Sequence, residues 1–594
     1  MKKLLTGNEA IAQGAYEAGV RYASAYPGTP STEILENIAL YKEDILAEWA
    51  PNEKVALESV IGASYAGARA LASMKHVGVN VAADPLFTNA YTGVNGGLVL
   101  ISADEPGMHS SQDEQDNRNY ARFAKIPMLE PSDSQEAKDM IKIAFEISEK
   151  YDSPVLFRVT TRICHSKSIV ECRDREDVEI KEYVKNIKKY VPVPAHTVAM
   201  RDRVEERLKK LEEFSNNTPL NFIELNDTQI GVVASGCSYR FAKEVFGDSA
   251  SYLKLGFTNP LPKAMMKEFA SKVDKIYVIE ENDPIIENEL KMMEIKCFGK
   301  NTFPYQGEMT SDIIRKAVFG ETNKTIKYDE SKIVSRPPTL CAGCPHRGFF
   351  IEIGKRKNTV ISGDIGCYGL GFAEPYNAMD FSVCMGGSIS MGHGAQKIFN
   401  IKKDNKTRVV SMLGDSTFFH TGINSLLNVV YNKSNSINVI LDNRITGMTG
   451  HQENPGTGYT LQGLETEVID IEVLVKALGI KNVRVVNPND LKAMKETIDW
   501  AYSLDEASVI ITRWPCVLKR FSKEDKEEFK GAFQSKCLVD IEKCVGCKAC
   551  IRAGCPAISF DKVNKKASIN PDPCVGCEVC LQVCPVKAIG KVEL

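Results

Sequence analysis

No sign of charge dominates this sequence. Its 74 Lys and Arg offset 77 Asp and Glu, for a net charge of −3 over 594 residues. No nucleic acid or other polyanion partner is implied. Long apolar runs are also missing: none reaches the roughly 20 residues that span a bilayer. The opening Met1-Lys2-Lys3-Leu4-Leu5-Thr6-Gly7 has no apolar core of signal-peptide length. These absences lead us to expect a cytoplasmic protein with no membrane partner. In that compartment eighteen cysteines read as ligands or reduced thiols, not as staples. The length allows about three to five domains with ample core.

What is present begins with cysteine. Eight of them fall in two runs near the end, Cys544-x2-Cys547-x2-Cys550-x4-Cys555-Pro556 and Cys574-x2-Cys577-x2-Cys580-x3-Cys584-Pro585. The second run has the spacing of two-cluster ferredoxins, and the first carries one extra residue before its fourth cysteine. Three thiolates on one tight loop grip three corners of an iron–sulfur cube, and the fourth comes from the other run. The expected sets are therefore Cys544, Cys547, Cys550 with Cys584, and Cys574, Cys577, Cys580 with Cys555, one [4Fe–4S] each. Zinc would not need such crossed runs, and disulfides have no secretory signal to favour them. A wire of this kind moves single electrons, so the rest of the chain must supply or consume them.

Ahead of the tail, residues 1–170 alternate short β-like runs with helical patterns, which reads as α/β. Gly7 opens a helix that Gly19 ends. Tyr26-Pro27-Gly28-Thr29-Pro30-Ser31-Thr32-Glu33 reads as a strand end, a tight turn and a helix start capped by Ser31 or Thr32. It is either an ordinary capped loop or the strand-end site at which open α/β sheets bind ligands. Asn52-Glu53-Lys54 precedes a helix of small residues, Val60 to Ala68, which permits close approach. Met108 to Arg118 is either a substrate-side loop or a solvated connection. Residues 171–225 are rich in lysine and glutamate and read as a helical linker. A second α/β unit spans 226–330, with strands at Ile230–Gly236 and Ile276–Glu281 and no catalytic constellation. Arg336-Pro337-Pro338 marks a boundary, and Cys341-Ala342-Gly343-Cys344 follows it. A lone Cys-x2-Cys leaves zinc or redox use equally open.

Val409 to Ser416 reads as a buried strand ending at Asp415. Asn438 to Gly447 reads as a second one ending at Asn443, with a helix from Gly422 to Asn432 between them. A β–α–β crossover brings both strand ends to one rim of a parallel sheet. One carboxylate, one amide oxygen and one carbonyl there suit a hard Mg²⁺ that keeps phosphate oxygens in its shell, and the helix start adds amide donors for a diphosphate. Two ordinary parallel strands ending in polar residues would look similar.

This half-site resembles the thiamine diphosphate motif, here written Gly414-Asp415-Ser416 through Asp442-Asn443. Serine replaces its third residue and aspartate its first asparagine, and neither change removes a metal ligand. Asp415, Asn443 and the carbonyl of Ile445 remain. With the cysteine tail, with Tyr26-Pro27-Gly28-Thr29-Pro30-Ser31, Glu114-Gln115-Asp116-Asn117-Arg118, Gly363-Asp364-Ile365-Gly366-Cys367 and Met448-Thr449-Gly450-His451-Gln452, the whole chain resembles the 2-oxoacid:ferredoxin oxidoreductases. Within them it looks like the large (alpha) subunits of the indolepyruvate ferredoxin oxidoreductases.

The resemblance implies two parallel α/β domains of thiamine-diphosphate-binding type, pyrimidine-type at 1–170 and diphosphate-type at 338–530. It also implies a transketolase C-terminal-like domain at 226–330 and a two-cluster ferredoxin domain at 535–594. It implies that Glu53 bonds the cofactor's aminopyrimidine and that Thr29 lies near the substrate carboxylate. Gly387 and Ser388 join Gly414, Asp415, Ser416, Asn443 and Ile445 in cofactor binding. Met448 stands where the pyruvate enzymes carry an asparagine, and a softer apolar residue there fits an aromatic substrate. Cys341, Cys344, Cys367 and Cys516 match the ligands of a third, proximal [4Fe–4S]; structural thiols are the alternative. The six remaining cysteines have no assigned role.

The implied activity is oxidative decarboxylation of an aryl pyruvate with coenzyme A as acyl acceptor and external ferredoxin as electron acceptor. No segment matches the gamma-type domain of the single-chain pyruvate enzymes, which implies a small separate beta subunit and an α2β2 assembly. Two rivals stay open: another 2-oxo acid, branched-chain or phenylglyoxylate, and an electron-transfer subunit with a vestigial thiamine site.

Overall fold

The computed structural model describes residues 1–322, 326–402 and 406–593. Positions 323–325, inside the expected 226–330 unit, and Leu594 of the expected tail domain lie outside the described residues. The chain forms two compact units, Met1–Tyr328 and Asp329–Leu594.

The first unit is built on a seven-stranded sheet. Six of its strands, Leu46–Trp49, Tyr22–Ala25, Ala70–Lys75, Leu98–Asp104, Val155–Thr160 and Met128–Leu129, run parallel in that spatial order. They are buried on both faces, as covered parallel strands must be: every residue of Ala70–Lys75 and Leu98–Asp104 is buried. The seventh strand, Phe257–Asn259, adds antiparallel to Met128–Leu129 and comes from the segment expected to be a separate domain. That segment also carries its own four-stranded sheet, with Ile230–Ser235 between Lys275–Ile279 and Ser251–Leu255.

The expected helical linker is helical over Ile187–Tyr190 and Pro194–Asn217. Residues 172–186 form neither helix nor strand and are held by backbone bonds from Glu176 to Glu17 and from Lys181 to Gly67, and Phe222–Glu224 joins the four-stranded sheet at its edge. High charge marks a solvated face equally well in either conformation, so composition alone could not separate them.

The second unit holds a five-stranded parallel sheet in the order Thr359–Ser362, Arg408–Gly414, Ile437–Asp442, Ser508–Arg513, Asn482–Val486. Its tail is closed by an antiparallel ladder of Ser535–Val539 with Ile589–Glu593 and a hairpin of Ile558–Asp561 with Lys566–Ile569. Val579, Cys577, Val583 and Ala553 of the tail share a core with Phe350, Tyr376 and Leu491. The cysteine tail is therefore packed into the unit. Among the described residues no helix is long and apolar enough to cross a membrane.

Candidate active site and thiol relay

Parallel strands deliver their carboxyl ends to one rim, and each unit has such a rim. In the first, Tyr22–Ala25 leads into Thr29, Leu46–Trp49 into Glu53, and Ala70–Lys75 into His76. The helix Glu53–Tyr65 starts at the buried Glu53, and Asn52 caps it by accepting from Val55 N at 2.9 Å. A β-carbon at Gly78 would sit 2.8 Å from Glu53 Oε1, so the glycine is what leaves room for the carboxylate. Gly28 likewise lies close against Lys75, where an added β-carbon would be 3.1 Å from Lys75 Cβ. Ser31 stands at the cap position of the next helix but does not cap it: its hydroxyl donates to Gly28 O at 2.8 Å and tightens the turn that carries Thr29.

The loop from Met108 to Arg118 divides. Residues 107–110 are exposed, whereas Arg118 is buried and pairs with Asp116 at 2.6 Å and Glu280 at 2.7 Å. Arg158 pairs with Asp104 and Glu130 beside them, at 2.7 and 2.6 Å. This end of the loop is a bolt within the unit.

In the second unit, four adjacent strands deliver Asp364, Asp415, Asn443 and Cys516 to one rim. Gly414 is required because the Tyr368 ring packs on it, 2.7 Å from where a β-carbon would be. Helical structure begins directly at Asp415, passes a wide turn over Phe418–Gly422 and continues as Ile423–Tyr431, earlier than the sequence pattern suggests. Asp415 is buried, accepts from Asn454 Nδ2 at 3.0 Å, and is pushed up to about 7 by burial and then by the charge of Asp442. Asp442 itself is held by Arg513 at 2.9 Å.

The Asn443 amide lies 2.8 Å from Ile445 O and 3.0 Å from Asp415 Oδ1. Turned one way, its nitrogen donates to both. Turned the other, its oxygen faces the Ile445 and Asp415 oxygens at close to the edge length, about 2.9 Å, that an octahedral Mg²⁺ with ~2.1 Å bonds imposes. The donor set fits the metal.

Gly387 and Ser388 open the helix Ser388–Ile401. The Ser388 N–H donates to Asp364 Oδ2 at 2.9 Å, and Gly386 N to Oδ1 at 2.8 Å. Burial pushes Asp364 up to about 6. Asp364 and Asn454 carry no role in the sequence reading. The Gly363-Asp364 pair at a strand end, the same signal as Gly414-Asp415, would have found the first. Met448 is 56% exposed.

Cys516 N donates to Asn443 O at 3.0 Å, which ties the first thiol to the metal-fitting loop. Burial raises Cys367 to about 11, and its neighbours Cys516 and Cys341 push further. Cys344 is raised to about 12 by burial, with Cys367 and Cys516 adding to it. Thiols raised in this way ionise readily only when a metal takes them.

In the tail, Cys550 lies in the field of Cys544, Cys547 and Cys584, while Cys577 and Cys580 lie in that of Cys555. The geometry thus crosses the two runs. Cys537 N donates to Cys574 Sγ, and Ala588 N to Cys584 Sγ, both at 3.3 Å. Among the described residues no three His, Cys, Asp or Glu close on a single metal ion.

Comparison with known proteins agrees with this arrangement. Residues 13–210 match the thiamine-diphosphate-binding domain of pyruvate flavodoxin/ferredoxin oxidoreductases. Residues 364–512 match the C-terminal TPP-binding domain of thiamine pyrophosphate enzymes, and 543–588 a 4Fe-4S dicluster domain. Together they define an oxidoreductase of the 2-oxoacid:ferredoxin class, with thiamine-binding and iron–sulfur domains on one chain.

The chain is 41% identical over 633 residues to indolepyruvate oxidoreductase subunit IorA of Pyrococcus horikoshii, covering 100% of this chain and 97% of that one. It is 40% identical over 617 residues to the subunit of that name from Methanothermobacter marburgensis, with 98% and 96% covered. A 2-oxoglutarate synthase subunit KorA of Archaeoglobus fulgidus is 26% identical over 317 residues, 49% of this chain and 90% of its own. The chain belongs to the family of indolepyruvate oxidoreductase IorA subunits.

Proposed function

We propose that this chain, with a small beta subunit in an α2β2 complex, oxidatively decarboxylates aryl pyruvates of the indolepyruvate and phenylpyruvate type. A 2-oxo acid and coenzyme A give aryl-acetyl-CoA, carbon dioxide and a proton, and two electrons leave singly to external ferredoxin. The observation that carries this reading is the junction of two sites in one unit: the Asp415, Asn443 and Ile445 oxygens on one side, and Cys516 bonded to Asn443 on the other. The name of the full-length relatives supports the aryl substrate, and eighteen cysteines without a disulfide support a cytoplasmic setting.

Bound thiamine diphosphate supplies a nucleophilic carbon and a sink for the electron pair released with carbon dioxide. The chain does the rest. Asp415, Asn443 and the Ile445 carbonyl hold Mg²⁺, with Gly414 and Ser416 beside them and Gly387 and Ser388 at a helix start suited to a phosphate. Glu53 holds the proton of the pyrimidine nitrogen, and Thr29 orients the substrate carboxylate. Cys341, Cys344, Cys367 and Cys516 hold a proximal [4Fe–4S] and the two tail sets one each.

The test is anaerobic reconstitution with the beta subunit, followed by a panel of 2-oxo acids with coenzyme A. Indolepyruvate and phenylpyruvate should bleach the cluster absorbance fastest. A faster response to pyruvate, 2-oxoglutarate or a branched-chain acid would reassign the substrate, and no response to any would remove the activity.

A further inference from the structure

Arg347 follows the Cys341-x2-Cys344 loop at the start of the helix His346–Ile353, and it is 1% exposed. Its guanidinium reaches two loops at once. One nitrogen donates to Cys341 O at 2.7 Å and to Leu340 O at 3.4 Å. The other donates to Ala553 O at 3.0 Å, to Gly554 O at 2.6 Å and to the Tyr376 hydroxyl, which itself donates to Ala553 O at 2.8 Å. Gly554 immediately precedes Cys555. The fork therefore joins the loop of the proximal thiols to the loop of the second tail set. The two loops also touch directly. A β-carbon at Gly343 would lie 2.1 Å from Val575 Cγ2, between Cys574 and Gly576, and the positive φ of 73° at Gly343 lets its backbone make that approach.

Every partner described for this guanidinium is neutral. A buried cation without an anion is unfavourable, and carbonyl dipoles offset only part of that. Beyond those carbonyls and the Tyr376 hydroxyl, cysteines of both sets surround it. It bonds the carbonyl of Cys341 from one set and, through Gly554, the residue before Cys555 from the other. It also lines the same small cavity as Cys555, Cys574, Cys577 and Cys580. Iron-bound thiolates bring the missing negative charge, and net charge and hydrogen bonding near a cluster set its potential.

We infer that Arg347 is a shared countercharge between the proximal and the second tail iron–sulfur sites, a positioning residue that fixes their spacing and raises both potentials together. This rests on the ligand assignment proposed above. The test is redox potentiometry with electron paramagnetic resonance on the reconstituted complex, comparing wild type, Arg347→Gln and Arg347→Lys. Arg347→Gln should lower the midpoints of both flanked clusters by at least tenfold in equilibrium constant, ~59 mV for one electron. The Cys544, Cys547, Cys550, Cys584 site should move far less, and Arg347→Lys should keep wild-type iron and most of the potential.

Unchanged midpoints with full iron in Arg347→Gln would overturn the inference, as would Arg347→Lys shifting as far as Arg347→Gln. If Arg347→Gln loses iron, retention of iron and potential by Arg347→Lys supports a role for charge, and its loss there too overturns it. Failure of the ligand assignment would look different: wild-type complex would carry iron for the tail sites alone.

Discussion

The Arg118 and Arg158 network of the first unit and the Asp415 and Arg347 sites of the second treat buried charge in opposite ways. In the first, Arg118 and Arg158 are enclosed by Asp104, Asp116, Glu130 and Glu280, and each guanidinium meets carboxylates within 2.7 Å. In the second, Asp415 has an amide for a partner, Arg347 has carbonyls, and Asn443 faces two oxygens. A polar network satisfied by its own chain specifies a fold. A network left short of counter-ions, at a strand-end rim, is prepared for something the chain does not encode. Both are buried, so burial alone does not tell a scaffold from a site. What tells them apart is whether the partners carry opposite charge.

That contrast can be broken by experiment. Asp415→Ala should have the largest effect: turnover falls below detection and thiamine diphosphate retention is lost, while iron in the tail is unchanged. Cofactor and iron analysis of the purified complex measures both, and retained turnover would restore the electron-transfer rival. Arg118→Met tests the opposite kind of network. It leaves Asp116 and Glu280 buried without their cation, and should cost about 3–5 kcal/mol of stability, read as a fall in the denaturation midpoint of the first unit. The pH dependence should change with it. Burial pushes Asp116 up, but Arg118 and Arg158 outweigh burial and bring it down to about 2 from 3.8. A depressed carboxylate stabilises the fold above its unfolded pKa and loses that contribution as pH falls from about 3.8 towards 2. The variant should therefore unfold at higher pH than wild type in an acid titration.

Asn454→Ala removes the amide that steadies Asp415, and should weaken Mg²⁺ binding about 10- to 100-fold with stability little changed. Titration of the apo-complex with Mg²⁺ and cofactor reads this out. Gly78→Ala drives a methyl group against the Glu53 carboxylate, and should lower turnover more than cofactor affinity. An equal loss of both would mean that Glu53 only helps to bind.

Some of this was readable before any coordinates. Asp415 and Asn443 each end an apolar, β-branched run, so their place at a sheet rim followed from local pattern. That thiols of the two runs lie near one another was an expectation from their spacing. Arg347 did not, because its meaning lies with Ala553 and Gly554, 206 and 207 residues away. The course of residues 172–186 was equally hidden: polar composition is silent on conformation, and the backbone partners at Glu17 and Gly67 are remote. The sharing of a sheet through Phe257–Asn259 rests on three residues, too few for periodicity to mark.

The crossing of the tail thiols has a consequence for damage. Cys584 stands near Cys550, and Cys555 near Cys577 and Cys580, so on the ligand sets proposed above neither half of the tail owns a complete set. Oxidation of one thiol or a nick in the 561–566 turn would not leave a shorter wire that still conducts. Such a tail fails as a whole, and its repair requires rebuilding both ends together.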